Sequence, residues 1–264
     1  MLLYDLSNCY LEAHHFLKTL FKHPEWVITW IEEAQKKVAL VQYGIGGQVV
    51  PRGVMCANPF WEMDIQVTYT RGALRLRKPQ REKYYRYSFD AEGRLLLVEN
   101  FCDVDQIEVI VRKGDIFYGL GVPKARLAEL SANCISVRGD IMREDRIEAE
   151  FYTSQSYLEL YERSSIFADR LEPLVEGAVI QYENDMPVRY HRVRTYLEYD
   201  DNKNIIGQDH QVRWSYRLYA NEKKDIVQVL DVMDEQDDGH TRKIRNLARP
   251  VPYKRWHNNH GLLP

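Results

Sequence analysis

The spacing of apolar residues predicts two amphipathic helices near the start of the chain. Apolar side chains recur every three or four residues over 8–21. Ser7 and Asn8 lie at the start of this stretch and can cap the first turn of a helix. A second apolar stripe runs through 24–42 and begins at Pro24, a residue suited to the first helical position. Charged residues lie opposite each stripe, so we expect a helical pair that packs one face on the rest of the fold.

From residue 48 the apolar period changes to two, which is typical of β-strands. Alternating runs such as 63–69, 85–89 and 107–111 each lead into a short polar turn and out through a second apolar run. This alternation favours antiparallel strands with one solvated face, because buried parallel strands are continuous apolar runs. We therefore expect an α+β protein that is mostly β, built on one large antiparallel meander, flat or curled.

Turn and helix signals place the other elements. Arg138-Gly139-Asp140 follows an apolar run and predicts a hairpin turn. A capping-box pattern at Ser156-Tyr157-Leu158-Glu159 predicts an inserted helix over 156–172, and Pro123 favours a second, short helix over 122–130. Long strands are expected over 188–199, 212–218 and 226–230.

Apolar periodicity and charge together divide the predicted fold into three regions. The helical pair occupies 1–47, the hairpin domain occupies 48–239, and 240–264 is a basic C-terminal arm. The arm carries six lysines and arginines, no acidic residue and three prolines. An acidic cluster precedes it and comprises Asp231, Asp234, Glu235, Asp237 and Asp238. We therefore expect an extended C-terminal arm rather than a part of the core.

Composition narrows the classes of function. The formal net charge of -3 provides no global basic field of the kind that attracts nucleic acid, and a hydrophobic fraction of 45% suffices for a packed core. The four cysteines have neither a zinc-like nor a disulfide-rich spacing, so we expect free thiols and a cytoplasmic protein. The first residues lack the pattern of a signal peptide, and no stretch approaches the ~20 apolar residues of a membrane span, so we expect no membrane contact.

One hairpin motif recurs, consisting of an aromatic residue, an acidic or amide turn and an aliphatic pair. Its clearest copy is Tyr87-Ser88-Phe89-Asp90-Ala91-Glu92-Gly93-Arg94-Leu95, and looser copies surround Tyr182, Tyr199 and Tyr219. Asp and Asn side chains can hold backbone groups in such turns, and Gly93 can take a positive φ. Turn chemistry alone can therefore produce this motif in an antiparallel meander.

Residues 87–95 also resemble the YD repeats of the rearrangement-hotspot (Rhs) and related polymorphic-toxin proteins, with Phe89 in the place of the tyrosine. In that family, long arrays of repeats wind into a shell around a toxin, and this chain is too short for a shell. The looser copies of the hairpin in this chain also look like hairpins of small cytosolic proteins that are encoded near such toxins, including immunity proteins. The resemblance implies that neighbourhood and carries over no catalytic residue.

Three residues have the carboxylate-carboxylate-lysine order of some metal-dependent nucleases, namely Asp209, Glu222 and Lys224. For that chemistry the two acids would have to converge on one Mg²⁺ ion. Glu222 and Lys224 fall in a predicted turn, where exposed charges are common. An enzyme is thus the weaker hypothesis, and we expect no cofactor and no metal site.

The basic arm is the strongest candidate for binding. Its candidate contact residues are Arg242, Lys243, Arg245, Arg249, Tyr253, Arg255 and Trp256. Arginine beside aromatic rings suits an acidic protein surface, and the arm is the one feature of the chain that also suits single-stranded nucleic acid. Alternatively, the arm packs on the acidic cluster of its own chain.

Three functions stay open at the level of the sequence. The first is a non-enzymatic protein-binding module, with an immunity protein that neutralises a polymorphic toxin as its specific form and a toxin domain as its partner. The second is a metal-dependent hydrolase or nuclease. The third is a structural component of a larger assembly, in which the arm docks on a neighbour. No pattern indicates the oligomeric state.

Overall fold

The structure is a computed structural model, and it describes the greater part of the chain. The described residues are 2–44, 52–58, 60, 73–80, 82–102, 105–143, 146–156, 158–159, 176–199, 205–232 and 244–251. They include two α-helices, thirteen strands, three short 3-10 helices and a few further helical residues at 155–156 and 158–159.

The two α-helices precede all the described strands. They are α1 (Leu2–Leu20) and α2 (Glu25–Lys37). The strands are β1 (Leu40–Gly44), β2 (Leu74–Arg75), β3 (Tyr85–Phe89), β4 (Leu95–Asn100), β5 (Gln106–Lys113), β6 (Ile116–Pro123), β7 (Ser136–Arg143), β8 (Arg146–Ser154), β9 (Glu176–Glu183), β10 (Met186–Tyr199), β11 (Ile205–Ala220), β12 (Ile226–Val232) and β13 (Ile244–Val251). The 3-10 helices are Gly53–Met55, Lys124–Glu129 and Ala132–Cys134.

All the described strands belong to one antiparallel sheet, with the order β13-β12-β11-β10-β9-β8-β7-β6-β5-β4-β3-β1-β2. Consecutive strands are neighbours from β3 to β13, and β1 and β2 add to the outer side of β3. Over the described residues, the sheet ends in β13 on one side and in β2 on the other and is not closed. The expectation of a mostly β fold of the α+β class, built on an antiparallel meander, is confirmed.

Both predicted helices form, with different ends. The helix α1 begins at Leu2, upstream of its predicted start. The helix α2 ends at Lys37 instead of at residue 42, because the residues that follow become extended and join the sheet as β1. Leu40 is opposite Phe89 of β3 in this pairing. The end of the apolar stripe therefore belongs to a strand, whose position depends on a distant partner rather than on local periodicity.

The sheet carries a hydrophobic core on each face. On one face, α1 and α2 cover apolar residues of β4–β9, such as Leu120 and Val137. On the other face, residues 52–58 and 60, which we call the strap, pack with apolar residues of strands from β3 to β13. Phe117 and Tyr118 are adjacent in β6 and belong to different cores, as expected for neighbouring positions of a strand.

The predicted turn at Arg138-Gly139-Asp140 is wrong, because these residues lie in the middle of β7. Gly139 permits close packing there, since a Cβ at this position would overlap the Phe151 ring. Asp140 is buried as the partner of an arginine of the strap. Gly139 and Asp140 are residue types that usually form turns, but in β7 they allow close packing and form an ion pair.

Most of the other predicted strands are confirmed. The hairpins over 85–98 and 107–118 are β3–β4 and β5–β6. The three long strands expected toward the end of the chain are β10, β11 and β12. The short helix expected over 122–130 is a 3-10 helix, Lys124–Glu129.

Within the described part of the chain, no helix has the length and apolar character that crossing a membrane requires.

Two predicted elements fall wholly or partly outside the described residues. The alternating run over 63–69 lies outside them. The helix expected over 156–172 begins inside them, where 155–156 and 158–159 are helical, and 160–175 lies outside.

Candidate functional site

The basic arm predicted over 240–264 is in part a strand of the sheet. Of its candidate contact residues, Arg245 and Arg249 lie in β13. The others, Arg242, Lys243, Tyr253, Arg255 and Trp256, lie outside the described residues. In the pairing of β13 with β12, Arg245 is opposite Val229. Residues 244–251 therefore form part of the sheet. Among the described strands β13 is the edge strand, a position where Pro250 is tolerated.

Of the three residues of the nuclease hypothesis, Asp209 lies far from Glu222 and Lys224. Asp209 is within β11, whereas Glu222 and Lys224 lie in the exposed turn after β11 ends at Ala220. A strand rises roughly 3.3 Å per residue, which places Asp209 on the order of 30 Å from this turn. Carboxylate ligands lie about 2.5 Å from a divalent ion, so these two acids do not share one. Among the residues that the structure describes, no group of three or more His, Cys, Asp or Glu is placed to hold a metal ion.

Asp90 organises the turn of the clearest hairpin motif, between β3 and β4. Its Oδ1 accepts the N–H of Glu92 at 3.0 Å and the N–H of Arg94 at 2.8 Å, and its Oδ2 accepts from Arg94 Nε at 2.6 Å. Burial alone would raise the pKa of Asp90, but these bonds from Arg94 and Glu92 hold that pKa below its ordinary value. Gly93 completes the turn with a φ of +81°, a conformation that glycine adopts readily.

The looser copies of the motif also lie at hairpins. Tyr182 stands near the end of β9, before Asn184 and Asp185, which form the turn with positive φ angles of 48° and 61°. Tyr199 and Tyr219 lie at the ends of β10 and β11. Turn chemistry accounts for these positions. A common ancestry with YD repeats stays a prediction.

A row of charged and polar side chains lies between the strap and the sheet. We call it the buried polar strip, and its members are Arg52, Asn58, Glu108, Asp140, Glu150 and Tyr190. Two of these residues belong to the strap, and the others belong to β5, β7, β8 and β10. The order of strands in the sheet brings them together although they are distant in the sequence.

Arg52 makes the strongest contacts of the buried polar strip. Its Nε donates to Glu108 Oε1 at 2.7 Å, and its Nη1 donates to Asp140 Oδ2. The side chains of Arg52 and Asp140 are each 1% exposed, and that of Glu108 is 14% exposed. Burial alone would lower the pKa of Arg52, but the two carboxylates raise that pKa above its ordinary value. The guanidinium therefore stays charged inside the fold.

The backbone of the strap is anchored beside Arg52. The Tyr87 hydroxyl donates to the Arg52 carbonyl at 2.8 Å and accepts the N–H of Val54 at 3.2 Å. Burial raises the pKa of Tyr87 well above its ordinary value, so the hydroxyl keeps the proton that it donates. The first aromatic residue of the clearest motif thus holds the strap on the sheet.

Asn58 makes the second polar contact of the strap. Its amide nitrogen donates to Glu150 Oε1 at 2.9 Å and to the Tyr190 hydroxyl at 3.1 Å. Its own Oδ1 accepts the N–H of Phe60 at 2.8 Å. Burial raises the pKa of Glu150, although nearby arginines and the Asn58 amide favour the charged form. Glu150 is therefore more readily protonated than an exposed glutamate.

Two glycines of β6 make room for polar side chains on this face. A Cβ at Gly119 would overlap the Glu108 carboxylate and Nη2 of Arg52. A Cβ at Gly121 would overlap the Gln106 amide. Glycine within a strand commonly marks such a close approach, and here it lets charged groups lie directly on the backbone of the sheet.

The buried polar strip was not found from the sequence. Arg52 is 56 residues from Glu108 and 88 residues from Asp140 in the sequence, and no local sequence pattern predicts such pairs. The one usable signal was Gly119-Leu120-Gly121 inside a strand pattern, which indicates a close approach to the backbone. Because the side chains of Arg52 and Asp140 are each 1% exposed, the contacts of the strip anchor the strap to the sheet.

Comparison with protein-family models, curated proteins and solved structures finds no match for the chain.

Proposed function

We propose that the protein is a non-enzymatic protein-binding module that takes its partner on the outer side of residues 244–251, which we call the β13 edge. The observation that carries this proposal is the open end of the sheet. Within the described part of the chain, β13 is hydrogen-bonded to β12 and has no strand on its other side. Ile244 is 57% exposed there. An edge strand with unpaired backbone groups is a ready site for another chain.

The charge of the β13 edge indicates an acidic partner. Arg245 and Arg249 belong to β13, and no acidic residue occurs over 240–264. Arginine binds carboxylates through two parallel hydrogen bonds, and it is enriched among the residues that dominate binding energy at interfaces. We therefore expect a partner surface that carries Asp or Glu beside an apolar contact for Ile244.

The specific form of the proposal is neutralisation of a polymorphic toxin. Its support is the resemblance of residues 87–95 to YD repeats, together with a tyrosine-rich sheet. A protein of this kind acts by covering the active site of the toxin with a complementary surface. That activity needs no catalytic residue of its own, and it accords with the separation of Asp209 from Glu222 and Lys224.

Co-expression with the product of an adjacent toxin gene tests the proposal. We expect rescue of growth and co-purification of the two proteins. The double variant Arg245→Glu/Arg249→Glu should weaken the complex by about tenfold or more, because reversed charges repel an acidic partner. The matched control is Lys36→Glu/Lys37→Glu, which makes the same charge change at the exposed end of α2.

The possible results separate the two levels of the proposal. Absence of both complex and rescue would contradict toxin neutralisation. If the Arg245→Glu/Arg249→Glu variant binds the toxin as tightly as the Lys36→Glu/Lys37→Glu control does, the β13 edge is not the contact surface.

A further inference from the structure

The strap is held on the sheet by two kinds of contact. Met55, Ala57 and Phe60 contribute apolar side chains to the core on this face. Arg52 and Asn58 contribute the charge pairs and hydrogen bonds of the buried polar strip. Hydrogen bonds between charged groups have a strict geometry, so the polar contacts determine where the strap lies.

Glu108, Gly119 and Asp140 together form a receptor shaped for a guanidinium group. The carboxylates of Glu108 on β5 and Asp140 on β7 accept from two different nitrogens of Arg52. Gly119 on β6, between these strands, leaves open the space that the guanidinium fills. A lysine ammonium is a single point charge and lacks the planar fork that reaches two carboxylates at once.

Two features of Arg52 make its binding between Glu108 and Asp140 less favourable. Its backbone has a φ of 54°, in the left-handed region that residues other than glycine rarely adopt. Its Nη2 is buried without a hydrogen-bond partner, so the desolvation of that group is not compensated. A buried ion pair also gains little over apolar side chains of the same volume, because both charges lose water. These costs offset part of the attraction between Arg52 and the two carboxylates.

We propose that Glu108, Gly119 and Asp140 form a guanidinium-binding site that the chain fills with its own Arg52, and that the strap is a latch which opens while the sheet stays folded. This goes beyond the proposed function, since it concerns a face of the sheet and not the β13 edge. Opening the strap uncovers three acidic side chains of the strip, those of Glu108, Asp140 and Glu150. The uncovered surface can then accept an arginine side chain from another molecule.

Two buried cysteines allow the opening of the strap to be measured. Cys56 lies in the strap and is 4% exposed, and Cys9 lies in α1 and is 8% exposed. Cys102 and Cys134 are partly exposed, and replacing both with serine leaves the two buried thiols for labelling. Iodoacetamide is added under native conditions, and mass spectrometry follows the labelling of each thiol with time.

In this background we expect Cys56 to be labelled about tenfold or more faster than Cys9, because a local opening costs less free energy than unfolding of the core. Arg52→Ala should accelerate labelling of Cys56 by roughly another tenfold, because it leaves two buried carboxylates unpaired. Labelling of Cys9 should stay unchanged. Guanidinium chloride at millimolar concentration should slow labelling of Cys56 in the Arg52→Ala variant, whereas methylammonium chloride should not.

Glu108→Gln provides a second variant if Arg52→Ala does not fold, since it keeps the size of the side chain and removes its charge. It should also accelerate labelling of Cys56. The latch is wrong if Cys56 and Cys9 are labelled at one common rate, if neither variant accelerates Cys56, or if a variant accelerates both thiols alike. The guanidinium site is wrong if neither cation slows labelling in Arg52→Ala, or if methylammonium slows it equally.

Discussion

At the scale of single residues, Gly119 and Gly121 differ in what a side chain would displace. A methyl group at Gly119 meets a buried ion pair, whereas one at Gly121 meets the amide end of Gln106, a half-buried side chain that can move aside. Gly119→Ala should therefore lower the free energy of unfolding by about 3–5 kcal/mol, the usual cost of breaking a buried ion pair. Gly121→Ala should cost about 1 kcal/mol, the worth of one hydrogen bond. Urea unfolding followed by circular dichroism measures both, and equal costs would contradict a close fit around Arg52.

Glu150 connects the stability of the fold to pH. The charged groups that influence it are Arg138, Asp140 and Arg192, and burial is the main reason that its pKa lies above the ordinary value. The folded state therefore binds this proton more tightly than the unfolded state does. The resulting stability is complete below the unfolded pKa of about 4.3, and it is lost as the pH rises through the higher folded pKa. Glu150→Gln should remove this part of the pH dependence.

Urea unfolding of the native protein and of Glu150→Gln, repeated from acidic to neutral pH, measures that contribution. The difference between their free energies of unfolding should change with pH in favour of the variant as the pH rises. Glu33→Gln, at an exposed position of α2, is the control for the loss of one carboxylate. A pH-independent difference for Glu150→Gln would count against a buried, readily protonated Glu150.

At the scale of elements, the β3–β4 hairpin depends on the hydrogen bonds of Asp90. Asp90→Ala should lower the free energy of unfolding by about 1–2 kcal/mol, because the N–H groups of Glu92 and Arg94 lose their acceptor. Asp90→Asn is the matched control, since it keeps an acceptor oxygen and loses the charge pair with Arg94. That arginine side chain is half exposed, so solvent screens its charge pair with Asp90 and the pair contributes little to stability. Chemical denaturation compares the two variants, and an equal loss would show that the charge pair matters more than the turn.

Elements with local causes could be predicted from the sequence, and elements with distant causes could not. The β3–β4 and β5–β6 hairpins have turn chemistry within a few residues, and both were predicted. The strand β1 follows a helix without a turn signal and exists because it pairs with β3 across the chain. In β7, Gly139 and Asp140 have the residue types of a turn, but Phe151 and Arg52 determine their role.

The candidate sites divide in the same way. The basic character of β13 was visible because charge is a property of composition, but its place at the edge of the sheet depends on pairing with β12. The buried polar strip needs six residues from one segment and four strands, and only the spacing of Gly119 and Gly121 left a local trace. Its location became predictable only with the strand order, which the sequence pattern does not contain.

At the scale of the whole molecule, the two cores divide the sheet unequally. Strands β4–β9 contribute to the core beneath the helices, and several of them also contribute to the core beneath the strap. The described residues of β10–β13 contribute to the second core alone. Since local stability follows the number of buried apolar contacts, the two parts of the sheet should differ in how readily they open. The β13 edge then lies on the part that opens more easily, where a partner strand would add the most stability.

Amide hydrogen exchange, read by mass spectrometry of peptides, tests this division. We expect the slowest exchange in β5–β8 and faster exchange through local opening in β10–β13. Leu17→Ala, in α1 against the first core, should lower protection in β4–β9 by about 2–5 kcal/mol, the usual cost of truncating a buried leucine. Leu218→Ala, in β11 against the second core, is the matched variant and should act mainly on β10–β13. If each variant lowers protection over the whole sheet alike, the thirteen strands unfold as one cooperative unit and the division is wrong.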